Sequence, residues 1–134
     1  MTIKRPHALI AIVAVGLIVL ACNFSFSTAN ISDAWMSSDK DGKERTTTYA
    51  QDATFYAQVQ LQNAPDDTKA KAVWTAVDVE DNEPNLKLDE TELTAGSGLV
   101  TFNLTNDRLW PRGKYKVEIF LNDKSVKTLE FTVR

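Results

Sequence analysis

From about residue 31 to the end, apolar and polar side chains alternate in short runs, each closed by turn-forming residues. Thr54 to Leu61 is the clearest run. Phe55, Ala57, Val59 and Leu61 fall on one face, and Tyr56, Gln58 and Gln60 on the other. Alternation with period two is the signature of a half-buried antiparallel strand, because successive strand side chains point to opposite faces. Lys71 to Val79 repeats it, with Ala72, Trp74 and Ala76 on one face and Val73, Thr75 and Val77 on the other. Val100, Phe102 and Leu104 share a face, as do Tyr115, Val117, Ile119 and Leu121, and finally Leu129, Phe131 and Val133.

Weaker runs complete the pattern. Ile31 to Met36 reads as a first strand, followed by a polar loop over residues 37–45 around Asp41-Gly42, a hairpin signal. Thr46 to Tyr49 is expected to pair back as an edge strand, and Leu86 to Leu93 to hold a short one. Turns fall at Asn63–Asp67, Glu80–Asn85, Ala95–Gly98, Thr105–Lys114 and Asn122–Lys124. No helical period of comparable length occurs after residue 22. About seven short strands over some hundred residues predict an all-β antiparallel β-sandwich.

The first residues follow a different pattern. Lys4 and Arg5 precede Ala8 to Ala21, 14 residues without a polar or charged side chain. As a helix that run reaches roughly 21 Å, short of the ~30 Å hydrocarbon core of a bilayer. It fits the helical apolar region of a signal peptide. It ends in Val19-Leu20-Ala21-Cys22, which resembles the lipobox of bacterial lipoproteins. The resemblance is good at Val19, Ala21 and Cys22 and looser at Leu20, where a smaller residue is commoner. It implies a diacylglyceryl group on the Cys22 thiol, cleavage before Cys22, and a freed amino group open to acylation. The competing readings are an uncleaved signal anchor extended through Phe24 and Phe26, and a cut elsewhere with Cys22 incidental. The expected organisation is a signal peptide over 1–21, a tether over 22–30 and one domain over 31–134. Phe24 and Phe26 read either as contacts with lipid headgroups or as the start of the first strand.

Composition then narrows the chemistry. Of 15 basic and 18 acidic residues, only Lys4 and Arg5 precede Cys22, so the chain from Cys22 onward has a net charge of −5. That balance disfavours nucleic acid, whose affinity comes from Lys and Arg on phosphates. It also disfavours lying flat on anionic lipid, leaving the lipid on Cys22 as the membrane contact. The one histidine is His7 and the one cysteine is Cys22. The domain therefore has no Ser-His-Asp triad, no Cys-His dyad, no His or Cys zinc site and no disulfide. No cofactor is expected.

Two features sharpen the fold. Trp74 sits between small neighbours on a central strand, where a large ring is packed in immunoglobulin-like cores. Gly113-Lys114-Tyr115-Lys116-Val117 resembles the tyrosine corner of that fold, a tyrosine near the start of strand F whose hydroxyl bonds to backbone just upstream. Antibody domains place a cysteine two after that tyrosine; Val117 stands here, with its strand B counterpart near Val59. Aliphatic packing replaces the disulfide, as in fibronectin-type domains. A generic barrel or jelly roll with an ordinary buried tyrosine is the competing reading. The stretch from Asn63-Ala64-Pro65 through the final strand is also similar to an immunoglobulin-like module of bacterial extracytoplasmic lipoproteins, for which the resemblance implies no activity.

Candidate binding features are few. Asp39 to Glu44 carries a fragment of calcium-loop spacing, interrupted by lysines. Asp78, Glu80, Asp81 and Glu83 cluster on one loop, with Asn106, Asp107 and Trp110 expected at the same end of the sandwich. Trp35, Tyr56, Trp110 and Phe120 are candidates for exposed aromatics. These observations lead to a membrane-anchored, extracytoplasmic, non-catalytic module that binds an unidentified protein or envelope component. The alternative is a structural spacer or accessory subunit of an envelope complex.

Overall fold

A computed structural model describes residues 28–134 of the chain. The expected signal peptide over 1–21, together with Cys22, Phe24 and Phe26, lies outside the described residues. The described residues form eight strands in two packed sheets: β1 (Asn30–Ser37), β2 (Thr48–Tyr49), β3 (Phe55–Gln62), β4 (Thr68–Val79), β5 (Leu86–Ala95), β6 (Gly98–Leu104), β7 (Gly113–Leu121) and β8 (Lys124–Val133). One sheet has three strands in the order β1-β3-β6, and the other five in the order β2-β8-β7-β4-β5. All pairings are antiparallel except β2 with β8.

The inward faces follow the alternation. Phe55, Ala57, Val59 and Leu61 of β3 are buried, as are Ala72, Trp74 and Ala76 of β4 and Tyr115, Val117, Ile119 and Leu121 of β7. Val59 on one sheet and Val117 on the other are both fully enclosed in the shared core. Phe55 is the hub of an aromatic cluster. Its ring centroid lies 4.4 Å from Trp110, 4.7 Å from Phe131, 5.0 Å from Tyr49, 5.5 Å from Tyr115 and 6.3 Å from Trp74. Each such pair adds roughly 0.5–1.5 kcal/mol beyond area burial. The Trp74 indole N–H is buried without a hydrogen-bond acceptor, so packing alone holds that ring.

Turn chemistry closes the strands. Asn122 and Asp123 both have positive φ, 48° and 69°, as the two central residues of a type I′ hairpin require. Asn63, Asp81 and Asn85 also take positive φ, which Asn and Asp tolerate better than other side chains. Gly113 serves a different need. Its φ is 141°, and a Cβ there would lie 2.3 Å from the Asp78 carbonyl oxygen, so only glycine lets β7 start against the end of β4.

Three expectations are corrected. Beyond Thr46, whose N–H bonds the Met36 carbonyl, the segment Thr46–Tyr49 does not pair back on β1. After one bridge between Ser37 and Arg45 the chain crosses to the other sheet, where β2 pairs parallel with β8. The crossing inserts Tyr49 between Phe55 and Phe131, and its hydroxyl donates to the Ser37 carbonyl at 2.6 Å. The short strand expected at Leu86–Leu93 is ten residues long and pairs along most of β4. Gln58 lies on the outward face of β3 yet is fully buried, because loop 38–45 folds over it.

Candidate interaction surface

The strands run between two ends. Thr28 Oγ1 donates to the Asn63 carbonyl at 2.6 Å, which puts the start of the domain beside the β3–β4 turn. The β5–β6 turn is at that end too, since Ser97 Oγ accepts the Ala64 N–H at 3.0 Å. The β7–β8 turn joins them through Asn122 Oδ1, which accepts the Lys69 N–H. The β4–β5 loop, the β6–β7 corner and Arg134 lie at the opposite end.

That opposite end is stitched by hydrogen bonds centred on the corner. Tyr115 Oη donates to the Pro111 carbonyl at 2.5 Å, the contact that defines a tyrosine corner. Burial, with the Glu80 carboxylate a lesser contributor, pushes the Tyr115 phenol up to about 12. Glu80 Oε1 accepts the Arg112 N–H at 3.1 Å and lies 4.0 Å from its guanidinium, while the Glu80 N–H donates to the Arg112 carbonyl at 3.0 Å. Trp110, proposed from sequence as a surface aromatic, is 5 % exposed. Its indole N–H donates to the Ala53 carbonyl at 2.8 Å, and Gln51 bonds its backbone on both sides. Trp110 is thus a core residue, stacked on Phe55. A Pro at the next position and a preceding exposed Leu109 conceal this in the sequence, because the corner has no strand period to read.

The acidic residues do not converge. Asp78, Asp81, Glu83 and Asp107 are exposed, and Glu80 is engaged with Arg112. Among the described residues no group of three or more His, Cys, Asp or Glu side chains is placed to hold a metal ion. Between the β4–β5 loop and the corner lies a cavity of about 190 Å³. Buried Ala76, Val79, Trp110 and Tyr115 line it together with exposed Asn82, Leu86 and Asn106. So Asn82 and Asn106 do meet at one end, but around an apolar space rather than a carboxylate cluster.

In loop 38–45 one acidic side chain is tied to the loop's own backbone. The Asp39 carboxylate accepts the backbone N–H of Glu44 at 2.9 Å and of Lys43 at 3.0 Å, and these bonds hold it below the usual carboxylate range. Beneath it, Gln58 Nε2 donates to Ser37 Oγ and to the Lys40 carbonyl, both at 3.1 Å, and Gln58 Oε1 accepts the Thr101 hydroxyl at 2.7 Å. A Cβ at Gly42 would lie 2.9 Å from the Gln58 side chain, so the loop closes over Gln58 only with glycine there. Trp35 donates its indole N–H to the Gly42 carbonyl at 2.9 Å, and Arg45 stacks over its ring at 4.2 Å while bonding Asp33. Trp35 is therefore half-covered. Tyr56 and Phe120 are half-buried on opposite sheets, Phe120 under Lys71.

No protein-family model matches the chain, and no curated protein matches it in sequence. Solved structures share its fold. An immunoglobulin-like protein from Pseudomonas aeruginosa superposes with a TM-score of 0.51 at 17% identity, over 83% of this chain and 100% of that one. The alkylpurine DNA glycosylase AlkC of Pseudomonas fluorescens, bound to DNA containing an abasic site analog, gives 0.54 at 14% identity over 81% of this chain. A β-glucosidase from Listeria innocua gives 0.51 at 15% identity over 82%. This chain spans only 31% and 17% of those two enzymes. The domain is an immunoglobulin-like β-sandwich. At these identities the likeness extends to the fold and no further.

Proposed function

We propose that this is a lipid-anchored extracytoplasmic protein, held to the membrane by acyl groups on Cys22, whose immunoglobulin-like domain is a non-catalytic module binding a protein or another envelope component. The observation that carries it is Val19-Leu20-Ala21-Cys22 closing a 14-residue apolar run. The domain's inventory supports the non-catalytic part. It lacks histidine and cysteine. The apolar cavity at the corner is lined by one titratable side chain, Tyr115, whose hydroxyl is committed to Pro111. Contact with DNA belongs to the glycosylase. The chain here, at −5 from Cys22 onward, has no matching basic surplus.

Under this reading the start of the domain faces the membrane and the corner faces away from it. Mass spectrometry of the protein isolated from membranes tests the anchor: a diacylglyceryl Cys22 as the first residue is expected. An intact Met1, or a first residue beyond Cys22, refutes it. Pull-down of the full-length protein from detergent-solubilised membranes tests the module. A stoichiometric partner supports binding; its absence, with no retention on isolated envelope material, refutes it.

A further inference from the structure

The sheet edges are not equally protected. Edge strands invite pairing by another chain, and proteins block them with bulges, charges or short length. The β1 edge carries a bulge between Ile31 and Asp33, and the Thr46 N–H caps its Met36 carbonyl. β2 has two residues. β5 has a bulge at Leu88 and four charged side chains within ten residues. The free part of β8 is bulged opposite Ile119–Phe120 and carries Lys124, Lys127 and Glu130. β6 has none of these. Gly98–Leu104 runs in unbroken register on β3, without charge or proline, and among the described residues its other edge is unpaired.

Beside that edge the large sheet is uncovered. β1 packs beside β8, so the orders β1-β3-β6 and β8-β7-β4-β5 set β6 over β4 and leave β5 overhanging. Asp89, Thr91 and Leu93 pair with Trp74, Ala72 and Ala70 and therefore face inward with them. Yet Asp89 and Thr91 are exposed and Leu93 only half-buried, and Leu86 is 40 % exposed. Asp89 has no ion-pair or hydrogen-bond partner among the described residues.

We infer that the free edge of β6 accepts one extended strand of a partner protein, which completes the small sheet and roofs the inner face of β5. A second copy of this chain does not fit. Antiparallel pairing of β6 with its twin keeps both large sheets on one side and sets the partner copy's β4 where β5 lies. A single strand of about seven residues fits without such overlap, its backbone supplying the hydrogen bonds and its inward side chains the contacts. Complementarity fixes its composition: an apolar residue over Leu93, and a lysine or arginine over Asp89. The inference rests on the binding-module reading and names its surface.

The test uses the full-length protein in detergent and a capped synthetic peptide alternating threonine with valine, one valine replaced by lysine. Binding is followed by amide chemical shifts and hydrogen exchange. Expected are slowed exchange and shifts confined to Gly98–Leu104 and to the inner face of β5. A backbone N-methylated peptide should give no effect. The lysine peptide should bind up to about five-fold tighter than its glutamate counterpart, the range of one partly exposed ion pair, and Asp89→Lys should reverse the order. Protection on β1 or β8 instead, no binding, equal binding of the N-methylated peptide, or self-association that protects β6 would each overturn the inference. None of these except the last bears on the membrane pull-down, which tests the wider reading separately.

Discussion

Gln58→Met removes a buried polar side chain while keeping its length and most of its volume. In the native domain Gln58 makes hydrogen bonds to Ser37 Oγ, the Lys40 carbonyl and Thr101 Oγ1 at 3.1, 3.1 and 2.7 Å. Each such bond is worth about 1 kcal/mol net. Ser37 keeps its own bond to the Asp39 carbonyl, and the half-buried Thr101 hydroxyl can turn to water. The Lys40 carbonyl loses its partner beneath the folded loop. The expected loss is about 2–3 kcal/mol, a large share of the stability of a domain this size. Urea unfolding of the wild type, Gln58→Met, Thr101→Val and the double variant measures it. The cycle should return a coupling of about 1 kcal/mol between Gln58 and Thr101. The Lys43 and Glu44 amides, held by Asp39 in the same loop, should exchange faster in Gln58→Met. A loss below about 0.5 kcal/mol, the size of an ordinary surface substitution, would refute the role assigned to Gln58.

Three further outcomes follow from the geometry. Tyr115→Phe should cost about 1 kcal/mol in the same assay, the net worth of the bond to Pro111, with the fold retained; no loss would argue against the corner. Gly113→Ala should be far worse than a surface change, about 2–4 kcal/mol from overpacking on Asp78 and Val79 together with a strained φ, and an unchanged melting temperature would contradict it. Stability should fall as pH rises above about 10. Burial raises Tyr49 and Tyr115 to about 12, so between those values the unfolded chain has lost phenolic protons that the folded chain keeps. A Tyr49→Phe, Tyr115→Phe double variant should show a shallower decline in alkaline denaturation.

Much of the fold was legible because a strand's side chains alternate strictly. Phe55 through Leu61, Trp74 with its small neighbours, and Tyr115 through Leu121 each announced an inner face, and each is buried. The tyrosine corner was legible for a second reason: it is local, with donor and acceptor four residues apart. The candidate surface was much less so. The acidic loop stood out by composition, yet its carboxylates spread over exposed positions, with Glu80 drawn to Arg112. Trp110 stood out as an aromatic in a polar corner, yet the core needs its ring against Phe55.

The sequence by itself determined the period-two strands, their inward residues, the absence of histidine and thiol chemistry in the domain, and the Cys22 motif. Each of these depends on residue type or on neighbours a few positions away. Only the tertiary structure decided that β2 crosses to the other sheet, that Gln58 lies under a loop, and that β5 overhangs an uncharged β6 edge. Those facts depend on which strands become neighbours across the sandwich. Alternation says which side of a strand is buried, but not which strand lies beside it or what covers the other face.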